Sequence, residues 1–205
     1  MAIINPIPPG EGRQIVSENI GEILSAQTRG AGALLRDART EELAVADPHQ
    51  SYVVSLNDLA SGRMLSAARL TTWRYLIVHG SNAVAEAELN ADEKAGKALD
   101  FLALHQSPFA NETLEALHRA EELQQVKEND YELRYLKIPA VYLAAVWLHG
   151  KSDDILIPLP PPPTGVRANE PYSERQLINA LKSLAQTAKK FDENFEQRQG
   201  KSPKK

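Results

Sequence analysis

Two histidines stand at matching places in two similar segments, and their imidazoles are the first candidates for chemistry. His79 ends the apolar run Trp73-Arg-Tyr-Leu-Ile-Val and precedes Gly80; His149 ends Val141-Tyr-Leu-Ala-Ala-Val-Trp-Leu and precedes Gly150. Each His-Gly step is followed by a short polar turn and a second apolar or alternating run, which is hairpin patterning. Imidazoles brought to one end of a sheet could ligate a metal ion or, when protonated, hold an anion. Two histidines with no carboxylate at a fixed ligand spacing are an incomplete zinc set, so no metal is assigned. The competing account is turn chemistry alone, with glycine supplying a positive φ. His79 and His149 are therefore carried as weak candidates for a ligand or metal.

The remaining chemistry-bearing residues assemble into nothing more specific. Asp47, His49 and Ser51 have the residue types of a nucleophile triad, but such triads are built from separated elements, and neighbours in sequence do not reach that geometry. Asp153-Asp154 offers two carboxylates in a turn without further oxygen ligands. Gly10-Glu-Gly12 and Gly30-Ala-Gly32 lack the lysine, the hydroxyl residue and the preceding strand of a phosphate loop. Arg63, Arg69 and Arg74 gather loosely around the first hairpin and could grip an acidic partner. His105 and His118 read as margins of helices. No catalytic residue and no cofactor is assigned.

Composition narrows the class further. The chain has 205 residues, 42% of them hydrophobic and 24% charged, which is the balance of a soluble globular domain. The lack of cysteine removes disulfides, thiolate metal sites and cysteine nucleophiles, and it fits a reducing compartment, so a cytoplasmic location is expected. A net charge of −4 argues against a dedicated nucleic-acid binder. The N-terminus lacks a charged region and a long apolar core, so it does not read as a secretory signal. The longest apolar stretch, from Ile138 to Leu148, is broken by Pro139 and is too short to span a bilayer.

The elements that must position these residues follow from periodicity. Val16, Ile20, Ile23, Leu24 and Gln27 predict a helix from Glu11 to Gln27, and Leu34, Leu35, Ala38 and Leu43 a weaker one that stops at Asp47-Pro48. Ser51 to Leu56 reads as a strand, followed by a short helix capped by Asn57 or Asp58. Thr71–Val78 and Ala83–Leu89 form the first hairpin, with Glu86 and Glu88 on a shared, wet face. Asp92–His105 and Asn111–Lys127 read as helices. Tyr131–Ile138 alternates strictly and reads as an edge or half-exposed strand. Pro158-Leu-Pro-Pro-Pro-Pro163 predicts a polyproline II spacer. Ser173 and Gln176 form a capping box, and Leu177, Leu181, Leu184, Ala188, Phe191 and Phe195 form a heptad-like seam on the helix behind it.

The expected fold is α+β: a mainly antiparallel sheet of five or six strands, built on two hairpins and covered by helices, plus a C-terminal amphipathic helix after a polyproline spacer. The expected organisation is an extended Pro-rich arm over 1–10, an α+β domain over 11–158, a spacer over 159–171, the C-terminal helix over 172–199 and a basic tail over 200–205. The expected function is a non-catalytic interaction or structural component that docks to another protein or to itself, with Leu177, Leu181, Leu184, Phe191 and Phe195 as the partner-binding residues. The alternative is a small-molecule binding or sensing domain whose pocket lies on the sheet, lined by Tyr75, Tyr135, Tyr142 and the two histidines.

Overall fold

The computed structural model describes residues 2–8, 10–26, 35, 38–90 and 100–199. Among them, eight strands form one mixed sheet in the order β5-β4-β3-β2-β6-β7-β8, with β1 pairing on β6. The strands are β1 (Ile3–Ile4), β2 (Leu43–Val53), β3 (Arg69–His79), β4 (Asn82–Asn90), β5 (Phe101–His105), β6 (Tyr131–Ile138), β7 (Leu143–His149) and β8 (Asp154–Pro158). The helices are α1 (Gly12–Ala26), α2 (Leu56–Ala60), α3 (Pro108–Glu121), α4 (Gln124–Glu128) and α5 (Glu174–Gln199). This corrects the expected sheet of five or six mainly antiparallel strands. Two antiparallel meanders, β2-β3-β4-β5 and β6-β7-β8, are joined through a parallel pair, with Gln50–Val53 of β2 alongside Arg134–Lys137 of β6.

A bulge in β2 explains the join. The register passes from Ala46 opposite Leu76 to His49 opposite Arg74, so Asp47 and Pro48 together face one residue of β3. Pro48 has no N–H to give the ladder, and Asp47 adopts φ 45°. The strand bends there, and β1 takes the place beside the start of β6, with Ile3 and Ile4 parallel to Tyr131 and Glu132. Asn5 donates to the Asp47 carboxylate at 3.1 Å and fastens the arm to the bulge.

Helices cover both faces. Ala110, Leu114, Leu117 and Ala120 of α3 recur at helical spacing, and with Val126 of α4 they pack on Leu76, Leu133, Val146, Leu148 and Ile157. On the opposite face, Val16 and Ile20 of α1 pack on Trp73, Tyr75 and Ile77. Leu59 of α2 and Leu177, Leu181 and Ala185 of α5 pack there on Leu136, Ala145, Trp147 and Leu156. The result is three layers, helix, sheet and helix.

Several sequence expectations change. The predicted second helix stopped at Asp47-Pro48, but β2 already runs from Leu43 through that step; residues 34, 36 and 37 lie outside the described set, as do Gln27 and residues 30–32. The predicted helix over Asp92–His105 fails at its C-terminal end, where Phe101–His105 is an edge strand on β4, and 91–99 are not described. Five residues of mixed apolar character carry too little periodicity to fix a helix, and the open edge of β4 supplies ladder partners. Tyr131–Ile138 is central rather than an edge, with neighbours on both sides.

Capping also shifts. Ser55, not Asn57 or Asp58, caps α2 by accepting from the Asp58 N–H at 3.2 Å. Asn111, where the helix was expected to start, lies inside α3, which begins at Pro108; its Oδ1 accepts from the Ala83 N–H at 3.2 Å and ties α3 to β4. At α5, the Ser173 N–H donates to Gln176 Oε1 at 2.8 Å and the Gln176 N–H to Ser173 Oγ at 3.4 Å, the reciprocal bonds of a capping box. The two His-Gly steps need glycine for different reasons. Gly80 has φ 60°. Gly150 has no positive φ; a Cβ there would lie 2.5 Å from the Asp153 carbonyl and 2.7 Å from the Tyr131 ring, so close approach excludes a side chain.

Candidate functional site

The face covered by α3 is not apolar throughout. Where β3, β4 and β6 run past the N-terminal end of α3, it carries Arg74, Glu86, Glu88, Tyr135 and Lys137, with His105 arriving from β5. Arg74 and Glu86 are buried. Arg74 Nη1 donates to Glu86 Oε2 at 2.9 Å, Nε to Glu88 Oε1 at 2.6 Å, and Nη2 to the same Glu88 oxygen. The guanidinium lies 4.5 Å from the centre of the Tyr135 ring, and Lys137 Nζ donates to Glu88 Oε1 at 3.1 Å. His105 Nε2 is 3.5 Å from Glu88 Oε2, and the Thr113 hydroxyl of α3 lies 3.4 Å from Glu86 Oε1.

Burial and charge set the protonation states. Burial disfavours a charged Glu88, but Arg74 and Lys137 overcome it and bring the carboxyl down to about 2. Burial likewise works against the Arg74 cation, and Glu86, Tyr135 and Glu88 more than restore it. Burial, aided by Glu86, pushes the Tyr135 hydroxyl well above its ordinary value. Next to this group, on the neighbouring strand, His49 is wholly buried. Its Nδ1 lies 2.7 Å from the Asp47 carbonyl, which only accepts, so Nδ1 carries the proton and Nε2 is bare. Desolvation brings this imidazole down to about 4, against the Asp47 carbonyl, which favours the cation.

The charged group forms the floor of a cleft of about 760 Å³, with Leu104, Phe109, Pro139, Tyr142, Leu143 and Pro161 as apolar walls. Tyr142 is the most unusual of them. It closes the turn Pro139–Val141 in the left-handed region at φ 54° and is 89% exposed. A bulky residue held there is strained, and such strain gathers at functional positions. The cleft size is that of small-molecule sites, which combine apolar walls with a few convergent polar groups.

The sequence candidates fall elsewhere. His79 and His149 share an end and a face of the sheet, but β2 and β6 lie between their strands, and at that end β1 occupies the place beside β6. His79 pairs with Glu42 at 3.6 Å, and His149 Nδ1 donates to Asp154 Oδ1 at 2.7 Å. Asp153 and Asp154 serve different donors, the former Tyr131, the latter Trp147 and His149. Among the described residues no cluster of three or more His, Asp or Glu side chains could hold a metal ion. Ser51 Oγ and His49 Nε2 are buried without a hydrogen-bond partner, so they are not bonded to each other and form no triad.

Arg63 pairs with Asp58 at the surface, whereas Arg74 lies in the sheet. His105 lies on a strand, not a helix margin. On α5, Leu177 and Leu181 are buried against the domain's own sheet, Leu184 is half-buried and Phe191 is 71% exposed; the Phe195 side chain lies outside the described residues. Tyr135 and Tyr142 line the cleft, while Tyr75 is buried under α1 on the other face.

Glu86 and Glu88 were the residues the sequence concealed, since their shared face was expected to be wet. Counting back from the Gly80-Ser81 turn pairs Arg74 with Ala87. An extra residue at Val84, where Ile77 faces Ala85 but Val78 faces Ala83, moves Arg74 opposite Glu88. Arg74, a charge within the otherwise apolar run Trp73–Val78, was the available signal. No protein-family model, curated protein or solved structure matches this chain.

Proposed function

We propose that this protein binds a small molecule in the cleft over β3, β4 and β6. One observation carries the reading: a network of buried Arg74 and Glu86 with half-buried Glu88, extended to solvent by Lys137 and His105, floors an apolar-walled cleft of about 760 Å³. A desolvated charge network costs more than an apolar core of the same volume, so its placement under an open cleft argues for recognition rather than stability. Lys137 and His105 are 34% and 46% exposed and supply donors to a ligand, while Tyr142 and Phe109 supply contact area. We propose a binding role without chemistry on the bound molecule, in the cytoplasm.

The test is a thermal-shift screen of small amphipathic compounds against the full chain and Lys137→Met. A ligand at a hundred times its Kd stabilises by about 2.7 kcal/mol. The expected result is stabilisation of the parent protein that Lys137→Met weakens. Stabilisation that neither Lys137→Met nor Phe109→Ala reduces would place the ligand elsewhere and end this reading.

A second reading, docking to another protein or to a second copy, is favoured by a separate observation. Leu184, Ala188 and Phe191 of α5 face Ala140, Val141 and Tyr142 across an open groove of about 590 Å³. Leu177 and Leu181 are committed to the core, so deleting the whole helix would unfold the domain; Phe191→Ser is the informative change. Docking there predicts concentration-dependent assembly, or stoichiometric partner capture, that Phe191→Ser abolishes. Sedimentation velocity showing the same monomer for both proteins, with no partner captured, would discard it.

A further inference from the structure

We infer that the ligand of the cleft is a small zwitterion bearing one large apolar group, of which a hydrophobic α-amino acid is the simplest member; the inference rests on the binding reading above. Its first ground is the charge balance of the floor. Arg74 and Lys137 oppose Glu86 and Glu88, so the four charges cancel and a ligand of either net sign gains no long-range attraction. A head group carrying both signs loses nothing by this and can pair locally with each.

The free bonding capacity matches such a head group. Glu88 Oε1 takes Arg74 and Lys137, but among the described residues Oε2 has only the 3.5 Å contact with His105. The carboxamide oxygen of Gln106, in the cleft wall, is buried with no hydrogen-bond partner among the described residues. These two acceptors call for N–H donors. Lys137 spends one of its three N–H groups on Glu88, and the exposed His105 lines the same cleft, so together they present donors to a carboxylate. An ammonium at Glu88 Oε2 and Gln106 and a carboxylate at Lys137 and His105 use both sets. Leu104, Phe109, Tyr142 and Pro161 then receive the apolar side chain.

The deciding experiment is a calorimetric and NMR titration of the full chain with phenylalanine, phenylpropionate, phenethylamine and phenylethanol, which share one ring and differ in head-group charge. Phenylalanine is expected to bind about tenfold or more tighter than each of the others, a gap of about 1.4 kcal/mol. Lys137→Met and His105→Gln, at a half-buried and an exposed side chain that leave the buried Arg74-Glu86 pair in place, should reduce phenylalanine to the affinity of phenethylamine. Phenylpropionate, phenethylamine or phenylethanol binding as tightly as phenylalanine overturns the zwitterion and leaves the cleft as a ligand site. If none of the four shifts the resonances of Leu104, Phe109 and Tyr142, the binding reading itself falls.

Discussion

Replacing Arg74 by methionine lowers the unfolding free energy by about 3–5 kcal/mol, because it strands Glu86 and Glu88 without their buried counter-charge. Methionine fills much of the aliphatic volume, so the loss is electrostatic. Lys137 compensates only Glu88, and Glu86 keeps just the distant hydroxyl of Thr113. For a chain of this size each kcal/mol shifts Tm by about 2–4 °C, so the melting point falls by on the order of 10 °C. A triple variant, Arg74→Met with Glu86→Gln and Glu88→Gln, recovers much of the loss, since the amides carry no buried charge. An Arg74→Met protein within about 1 kcal/mol of the parent in denaturant unfolding would show that water reaches the network freely.

The second large effect is an acid limb set by His49. The folded protein holds this imidazole neutral down to about pH 4, whereas the unfolded chain takes up the proton below its ordinary 6.5. Between these values the unfolded state binds more protons, so stability rises with pH, is complete above 6.5 and declines toward 4. The roughly 2.5-unit window at 1.36 kcal/mol per unit amounts to about 3 kcal/mol. Glu88 acts in the same direction over a lower window: its stabilisation is present above the ordinary carboxylate value and is lost as pH falls toward about 2. His49→Asn keeps a donor for the Asp47 carbonyl but cannot titrate. Denaturant midpoints between pH 7 and 4 should fall more steeply for the parent than for His49→Asn, and equal slopes would contradict the assignment.

How much of this was legible in the sequence depends on what each element needed from elsewhere. The helix behind Ser173 announced itself, because its capping box and apolar seam are local. So did the strand over Tyr131–Ile138, but its central position did not; nothing in its own residues says that β1 and β2 will lie on its other side. Phe101–His105 depends entirely on the edge of β4 and gave no local sign of a strand. The bulge at Asp47-Pro48 was visible only as a proline stop, and it was read as the end of a helix rather than a bend within β2.

The candidate site was harder still. Its residues come from the adjacent strands β3 and β4, from β6 beyond β2, and from the edge strand β5, and one extra residue at Val84 decides which glutamate meets Arg74. Alternation in Ala83–Leu89 suggested a solvated face because Glu86 and Glu88 are charged; burial follows from Arg74 and α3, neither adjacent in sequence. The two histidines that matched each other by sequence ended beside separate carboxylates, Glu42 and Asp154, whereas His105, placed on a helix margin, faces the cleft. Matching local patterns reported two hairpins, with neither equivalent turns nor a shared site.

The measurement that bears most directly on the proposed cleft is an amide and methyl NMR map of the full chain titrated with phenylalanine. The account predicts saturable shifts confined to Leu104–Phe109, Tyr135–Lys137 and Tyr142–Ala144, lost in Lys137→Met. Shifts centred instead on Leu184–Phe191 of α5 would contradict it, and no saturable shift with phenylalanine or with its three head-group analogues would end the cleft reading altogether.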